Sequence, residues 1–355
     1  MADAADQFAA LRVLSAVMPT GLTPFDKRRL LRLAIGSTAG FAISKLMNWP
    51  FGVFFAVFPM LLMGMVPVFN RMVACQFIAG VLVNIVELWL LQALFEPYPL
   101  LMWMAVTFVF GYHFRFMITT PYLLLWVSGL ITLSTVLNLA SYSPAQLHDM
   151  MVATLLSSSL SVVVAALLYW LIPEPEKPGP PPVVSLSHAQ INHRMLMGTI
   201  LASASYVVFQ VLDLRDSLSA QVATMLVLFP MTYSGSVLSC WNRVRGALYG
   251  CALALVTQIL LYDLIDHLVL VVLAMFITVM IAARLHLAER AGSAMGFGAL
   301  TTIGILFGQY LQPGADILYA SLYRISSVAV ALLVMMMCAY WLDELLNRFA
   351  LTRNA

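Results

Sequence analysis

Long apolar blocks, separated by short polar turns, follow one another along almost the whole chain. A helix that crosses a bilayer needs about 20 mainly apolar residues, and twelve blocks are close to this length. Six precede and six follow a proline-rich segment, PEPEKPGPPP, at 173–182. We therefore predict an all-α integral membrane protein with about twelve transmembrane helices, at Leu30–Asn48, Phe51–Phe69, Met72–Phe95, Leu100–Tyr112, Phe116–Ala140, Leu147–Ile172, Ile191–Val211, Leu218–Gly235, Val237–Tyr262, Leu264–Ala283, Ala291–Leu311 and Ile317–Leu342.

The proline-rich segment divides the chain into two halves. Proline fixes its own backbone and lacks an amide donor, so no helix crosses such a run. The N-terminal residues are expected to be either a short interfacial helix or a poorly ordered tail. The predicted parts are an N-terminal cytoplasmic or interfacial segment (1–28), a first six-helix repeat (29–172), a cytoplasmic linker (173–188), a second six-helix repeat (189–343) and a cytoplasmic tail (344–355).

Composition narrows the class of protein further. Hydrophobic residues make up 62% of the chain and charged residues 10%, whereas soluble domains are about 25% charged. A soluble globular enzyme is therefore excluded. The net charge of +2 gives no support for nucleic-acid binding. The four cysteines contain no CxxC pair and the six histidines show no ligand spacing, so we predict neither a metal site nor a cofactor.

The few charged residues are placed unevenly. If the N-terminus is cytoplasmic, fifteen of the 18 basic residues fall in segments on the cytoplasmic side, as the positive-inside rule requires. The N-terminus, the linker and the C-terminus are thus predicted to be cytoplasmic. Five of these basic residues are expected at the inner headgroup level as topology anchors: Arg71, Arg115, Arg243, Arg245 and Arg284.

The two halves resemble each other at an offset of about 171 residues. Phe58-Pro59-Met60 recurs as Phe229-Pro230-Met231, and Tyr169-Trp170-Leu171 recurs as Tyr340-Trp341-Leu342. Each pair falls at an equivalent place in the predicted topology. Because each half has six predicted spans, both enter the membrane in the same direction. Parallel repeats of this kind are typical of transporters.

These motifs, together with Asn70-Arg71 recurring as Asn242-Arg243, resemble the fusaric acid resistance and aromatic acid exporter superfamily, in a compact branch without cytoplasmic domains. The resemblance implies a multi-pass efflux protein of the bacterial inner (cytoplasmic) membrane that exports small organic acids. It also implies a periplasmic adaptor (membrane fusion) protein and an outer-membrane channel as partners, beside the lipid bilayer and the organic anion itself. A homo-oligomer is a further expectation.

Ionisable residues inside a predicted span are costly and are therefore functional candidates. Glu87 lies in the third span, where Gln76, Gly80, Asn84 and Glu87 share one helix face. A carboxyl in this position is a candidate for proton coupling, with Asn84 and Asp149 as further candidates. The alternative interpretation of the same stripe is a close contact between helices through small residues.

A second candidate group lies in the last span. Arg324, with Tyr323 and Ser327 beside it, is a candidate for binding the substrate anion, because a guanidinium holds a carboxylate through two parallel hydrogen bonds. The alternative is a structural ion pair between Arg324 and Glu87 or Asp149.

Helix-breaking residues occur at corresponding positions in the two halves. Pro59 corresponds to Pro230, and Pro121 corresponds to Gly292. Paired breaks point to discontinuous helices around a transport site, although proline and glycine are also generally frequent in membrane helices.

The sequence favours a proton-motive-force-driven exporter of small amphipathic anions, plausibly aromatic carboxylates, and not an enzyme. The chain lacks a Walker-type glycine loop and a polar catalytic cluster, so an enzyme acting on lipids is the weakest interpretation. The main alternative is a non-transporting membrane subunit that anchors a larger complex.

Overall fold

The computed structural model describes residues 22–66, 68–142, 146–174, 186–212, 218–261, 264, 266–289, 295–310 and 317–353. These residues form helices and no strand. The helices are α1 Pro24–Leu46, α2 Gly52–Met65, α3 Arg71–Phe95, α4 Pro99–Thr119, α5 Leu123–Tyr142, α6 Leu147–Leu171, α7 His188–Val211, α8 Leu218–Leu228, α9 Tyr233–Leu260, α10 Leu268–Glu289, α11 Met295–Ile305 with a π-helical continuation at Leu306–Tyr310, and α12 Ile317–Asn347.

Seven of the described helices are long and apolar enough to cross a membrane: α3, α4, α5, α6, α7, α10 and α12. This confirms the prediction of an all-α, multi-pass membrane protein. The predicted third and sixth spans agree with α3 and α6 to within a residue at either end. Most other helices begin or end a few residues from the predicted bounds. Helix α1, for example, begins with a charged turn, which a search for apolar residues does not detect.

The predicted second and eighth spans are wrong as continuous helices. Helix α2 has 14 residues, or about 21 Å of helix, against a hydrocarbon core of about 30 Å, and the described part of α8 ends at Leu228. Phe51 has a φ of 57°, which is not helical, so α2 begins only at the next residue. Helix α8 ends two residues before Pro230, and Met231 follows with φ of 52°.

The two prolines of the repeated Phe-Pro-Met motif therefore differ in effect. Pro59 lies inside α2, whereas Pro230 lies just beyond the end of α8.

The predicted break at Pro121 is also corrected: Pro121 lies in the connection between α4 and α5, outside both helices. The predicted fourth span was too short and the fifth began too early. Gly292, the fourth predicted break, lies outside the described residues.

Helix α2 ends inside the protein, and its final turn is satisfied by side chains from two distant helices. The Gly64 carbonyl accepts hydrogen bonds from Arg29 Nη2 of α1 at 2.7 Å and from His286 Nε2 of α10 at 3.0 Å. A helix end leaves carbonyls without intrahelical partners, and cationic or N–H donors near that end are favourable. These bonds make a short, enclosed helix possible here.

Helices six places apart in the chain pack against corresponding neighbours. Helix α3 packs against α5, as α9 packs against α11. Helix α2 contacts α6, as α8 contacts α12. Helix α4 contacts α7 of the second half, and α10 contacts α1 of the first. One helix of each half therefore packs against the first helix of the other half.

Glycines allow the closest of these helix contacts. A Cβ at Gly246 of α9 would collide with the Met295 carbonyl oxygen at the start of α11, and one at Gly250 would lie 2.8 Å from the Ala299 carbonyl oxygen. In the first half a Cβ at Gly80 of α3 would lie 2.8 Å from the Leu125 carbonyl oxygen of α5. These glycines therefore serve helix packing, as the alternative interpretation of the stripe around Glu87 expected for Gly80.

The first and last helices of each half are joined by polar side-chain contacts. Arg32 of α1, 1% exposed, donates to the Ile172 carbonyl and to Glu174 Oε1 at 2.9 Å each, and its guanidinium stacks 3.9 Å from the Tyr169 ring centroid. His193 of α7 bonds to Asp343 Oδ1 of α12 at 3.0 Å. These contacts hold α1 to the end of α6 in the first half, and α7 to α12 in the second.

We expect Gly246→Ala to destabilise the protein by about 1–3 kcal/mol, the usual cost of overpacking, because the backbone of α11 must move. Gly111→Ala is the matched control: its Cβ would lie 3.6 Å from the nearest atom of Thr199, an ordinary contact. Thermal unfolding in detergent, followed by intrinsic fluorescence, measures both. Equal melting temperatures for the two variants would contradict the close α9–α11 packing.

Candidate functional site

Glu87 and His113 form a buried pair between α3 and α4. His113 Nε2 lies 3.1 Å from each oxygen of the Glu87 carboxylate. Glu87 is 8% exposed and His113 is 1% exposed. A lone charge in the membrane interior is costly and ionisable groups there pair with one another. The pair is therefore an acid and a histidine that satisfy each other inside the helix packing of the first half.

The surroundings of His113 restrict the protons that it can carry. Its second ring nitrogen, Nδ1, faces the Trp126 carbonyl oxygen at 3.4 Å, which only accepts. Neutral histidine has one N–H and its cation has two. A histidine cation can serve both acceptors beside an ionised Glu87. A neutral histidine with its proton on Nδ1 can instead accept from a protonated Glu87. The same heavy-atom positions therefore accommodate both distributions of the proton.

Asn84 connects this pair to α5. It lies one helical turn before Glu87, is fully buried, and donates from Nδ2 to the Gly129 carbonyl at 3.0 Å. A Cβ at Gly129 would lie 2.8 Å from His113 Cε1 and 3.4 Å from Asn84 Oδ1, so both side chains border the same small space. Asn84 Oδ1 has no hydrogen-bond partner among the described residues. A buried acceptor in this condition is typical of a place where a water molecule or a ligand binds.

Aromatic rings enclose the histidine on its other sides. The Trp126 ring stands edge-on at 5.3 Å between centroids, and the Tyr112 ring is tilted at 4.8 Å. These rings hold the imidazole in one orientation and limit its contact with lipid. Asp149, the third acid of the predicted group, lies exposed in the first turn of α6 and is not buried like Glu87 and Asn84.

Three histidines that the predicted spans place at span ends or in turns lie inside the helix packing instead. His113, His193 and His286 lie within helices and are 1%, 0% and 3% exposed. His113 was missed because the fourth span was predicted to stop at Tyr112, which assigned the next residue to a turn. Among the described residues no group of three His, Cys, Asp or Glu could hold a metal ion.

A second polar site lies between α8, α9, α11 and α12. Arg243 and Arg324, 3% and 6% exposed, line one small cavity of about 10 Å³. Arg243 Nη1 lies 3.4 Å from the Thr301 hydroxyl, and its guanidinium lies 5.3 Å from the Phe297 ring centroid. The ten described lining residues include these two guanidinium groups and the hydroxyls of Thr301 and Thr302, but no carboxylate.

The burial of Arg243 corrects its predicted role as a headgroup anchor. Helix α9 begins ten residues earlier, at Tyr233, and this places Arg243 within the helix packing. The other four predicted anchors are exposed: Arg71, Arg115, Arg245 and Arg284. Arg32 and Arg243 are thus buried in addition to the two charged candidates from the sequence, Glu87 and Arg324.

Tyr323 and Ser327 do not share this cavity with Arg324. They line an apolar groove of about 410 Å³ between α7, α8 and α12. Successive residues of a helix point about 100° apart, so Tyr323 and Ser327 share one face of α12 while Arg324 and Val328 share another. The predicted group of three is thus divided between two neighbouring sites.

A third cavity, of about 550 Å³, lies where α3 ends, α4 begins and α7 ends. Its lining includes the amides of Gln92 and Gln210, the carboxylate of Glu96 and the rings of Trp103 and Tyr206. Gln210 Nε2 donates to Asn138 Oδ1 at 2.8 Å. This cavity has a mixed polar and aromatic lining without a basic residue.

Comparisons with known families divide the chain at the same place as the proline-rich segment. Residues 29–168 match the model of a family described as a protein of unknown function (DUF2955). Residues 201–338 match the model of the fusaric acid resistance protein-like family. No curated protein and no solved structure matches the chain.

We expect Glu87→Ala to lower the stability of the protein by about 1–3 kcal/mol, the cost of leaving a buried polar partner unsatisfied, since His113 then loses its carboxylate. Glu87→Gln retains an acceptor for the ring nitrogen and should lose less. Unfolding in detergent measures the difference. Glu96→Ala, at the exposed end of α3, is the control and should lie within about 0.5 kcal/mol of the wild type. Equal losses for Glu87→Ala and Glu96→Ala would contradict the pair.

Proposed function

We propose that this chain, whose residues 201–338 match the fusaric acid resistance protein-like family, is an efflux transporter driven by the proton-motive force that exports small organic acids across a bacterial inner membrane. Aromatic carboxylic acids are the favoured substrates. The observation that carries the proton-coupled part of the proposal is the buried Glu87–His113 pair. Proton relays of transporters use such groups.

The pair acts as the proton site in this proposal. With one proton shared between them, Glu87 and His113 are together neutral, which suits the membrane interior. Taking up a second proton leaves the pair cationic, and losing the shared proton leaves it anionic. Each change alters the electrostatic cost of burying the pair, and thus the preference for a conformation that opens it to water. Asn84 Oδ1, at the edge of the same space, holds the water through which the proton moves.

The proposed architecture consists of two parallel six-helix repeats, 29–172 and 189–343, on either side of the linker at 173–188. The corresponding helix contacts in the two halves support this arrangement. Helix α2 is short but has 12 buried residues among its 14, and irregular backbone is tolerated at membrane depth where protein encloses it. We propose that α2 and α8, at equivalent places, complete their crossings with non-helical flanks, and that rocking of one half against the other moves the substrate.

The proposal places the 1–28 segment, the linker and the 344–355 tail in the cytoplasm, in accordance with the distribution of basic residues. The Glu96-lined cavity is then the periplasmic outlet, whose carboxylate disfavours rebinding of an exported anion. Onward movement across an outer membrane requires a periplasmic adaptor protein and an outer-membrane channel. A non-transporting anchor subunit remains the alternative function, and neutralising Glu87 would then alter assembly but not substrate movement.

Everted membrane vesicles test the transport. We expect them to accumulate an exported aromatic acid such as benzoate when their interior is acidic, and to lose this accumulation when the pH gradient is collapsed. Glu87→Gln should reduce the gradient-dependent part at least about tenfold, the effect of about 1.4 kcal/mol, because the pair can no longer exchange its proton. Radiolabelled substrate retained on filters gives the measurement.

Glu344→Gln is the matched control for this experiment, since it neutralises an exposed acid near the end of α12 and should retain accumulation. Immunoblots of the vesicles establish equal amounts of each variant. Full gradient-dependent accumulation by Glu87→Gln would remove the pair from the mechanism. Absence of accumulation in the wild type, for a panel of aromatic and aliphatic acids, would favour the anchor subunit.

Reporter fusions test the orientation. Alkaline phosphatase joined after Tyr98, which follows three predicted crossings, is expected to be active because it reaches the periplasm. The same reporter joined after Leu171 or Ala355 is expected to be inactive, whereas a fluorescent protein at these positions should fluoresce. An active phosphatase after Leu171 would show that one of the short helices does not complete a crossing.

A further inference from the structure

The cavity of about 550 Å³ at the ends of α3 and α7 and the start of α4 presents negative charge to a ligand. Its volume falls within the range of small-molecule sites. Among its eleven described lining residues, Glu96 carries a carboxylate and none is lysine, arginine or histidine. Glu96 is exposed, and no hydrogen bond or ion pair among the described residues engages its carboxylate. This carboxylate is therefore available to a ligand, and a cation is favoured over an anion.

Two amide side chains place further acceptors beside this carboxylate. Gln92 lies four residues before Glu96 on α3, so the two side chains are neighbours on one helix face. Gln210 of α7 donates from Nε2 to Asn138 Oδ1 at 2.8 Å, which leaves its Oε1 as an acceptor. An ionised carboxylate only accepts hydrogen bonds, whereas an ammonium group has three donors and no acceptor. The polar lining thus matches an ammonium group in both charge and hydrogen bonding.

Aromatic rings form the other part of the lining. Trp103 of α4 is 40% exposed and Tyr206 of α7 is 6% exposed. The Trp103 indole donates from Nε1 to Ser203 Oγ at 2.7 Å, which holds the ring in one orientation. Aromatic rings attract organic cations through their negative faces, and tryptophan does so most strongly. They also bury hydrocarbon, so the rings favour a cation that has an apolar or aromatic body.

The walls of the cavity are held by hydrogen bonds between the two halves of the chain. The Trp103–Ser203 bond joins α4 to α7, and the Gln210–Asn138 bond joins α7 to α5. Asn138 is fully buried, so the second bond is shielded from water. A site whose side chains are fixed in advance loses less conformational entropy when a ligand binds. The cavity is therefore formed before a ligand arrives.

We propose that this cavity binds an organic ammonium ion. The ammonium group lies at the Glu96 carboxylate and the amide oxygens of Gln92 and Gln210, and the apolar body lies against the rings of Trp103 and Tyr206. This inference goes beyond the proposed export of acids and does not depend on it, because the ligand has the opposite charge and binds without transport. Two sources share this chemistry: a soluble arylalkylamine and the headgroup of phosphatidylethanolamine.

Isothermal titration calorimetry of the full-length protein in detergent at pH 7 tests the site. The probes are 2-phenylethylammonium, which has charge and ring, 2-phenylethanol, which has nearly the same shape without the charge, and methylammonium, which has the charge alone. We expect 2-phenylethylammonium to bind most tightly and to bind more weakly as salt is added. Glu96→Gln should weaken its binding about three- to fivefold, the effect of losing an exposed ion pair, and should leave 2-phenylethanol unchanged.

Glu344→Gln is the matched control, because Glu344 is an exposed acid of α12 that does not line the cavity; it should leave the affinity unchanged. Glu96→Lys reverses the charge and should abolish binding of 2-phenylethylammonium while 2-phenylethanol still binds. Trp103→Leu removes the ring and should weaken binding about threefold. Thermal unfolding of each variant establishes that it is folded.

Native mass spectrometry with short-chain phosphatidylethanolamine distinguishes the two sources, and phosphatidylglycerol is the lipid without an ammonium group. Retention of the ethanolamine lipid alone, lost in Glu96→Lys, would support the site and assign the headgroup as a ligand. Binding of 2-phenylethylammonium without such retention would support it and assign the soluble amine. The site would be overturned if neither ligand binds, if 2-phenylethanol binds as tightly as 2-phenylethylammonium, or if both Glu96 variants keep wild-type affinity.

Discussion

The hydrocarbon interior of a bilayer contains no water to bind polar groups, and the arrangement of this protein follows from that constraint. Every N–H, carbonyl and charge at membrane depth needs a partner within the protein. The Gly64 carbonyl at the end of α2 accepts from Arg29 and His286, and Arg32 donates to the Ile172 carbonyl and to Glu174, just beyond the end of α6. Short helices can end inside the protein only because distant helices supply these donors.

The same constraint gives the buried charges their significance. Glu87 and His113 are stable together because each neutralises the other or shares its proton, and the enclosing rings of Trp126 and Tyr112 leave few other partners. Arg243 and Arg324 are buried beside one small cavity of the second half. One half of the molecule therefore contains a buried acid–histidine pair, and the other contains two buried arginines.

Glycine contacts make these sites possible by bringing helix backbones together. Gly80 brings α3 close to α5, and Gly246 and Gly250 bring α9 close to α11. Gly129 leaves the space that Asn84 Oδ1 and His113 border. In lipid, close packing of small residues replaces the hydrophobic effect as the source of association between helices. Corresponding helices therefore pack in the same way in the two halves, whereas the polar residues that they carry differ.

The sequence alone determined the class of protein, its helical nature and the approximate bounds of most helices, because hydrophobicity over about 20 residues is a local property. It also singled out Glu87 and Arg324, since a charge in an apolar block is visible without a structure. Only the tertiary structure decided that His113 pairs with Glu87, because the register between α3 and α4 depends on packing that no local pattern records. It likewise separated Tyr323 from Arg324 and buried Arg243, because the direction of a side chain depends on which helices surround it. The shortness of α2 belongs to the same group: its apolar sequence extends further, but the helix ends where Arg29 and His286 bond to the Gly64 carbonyl.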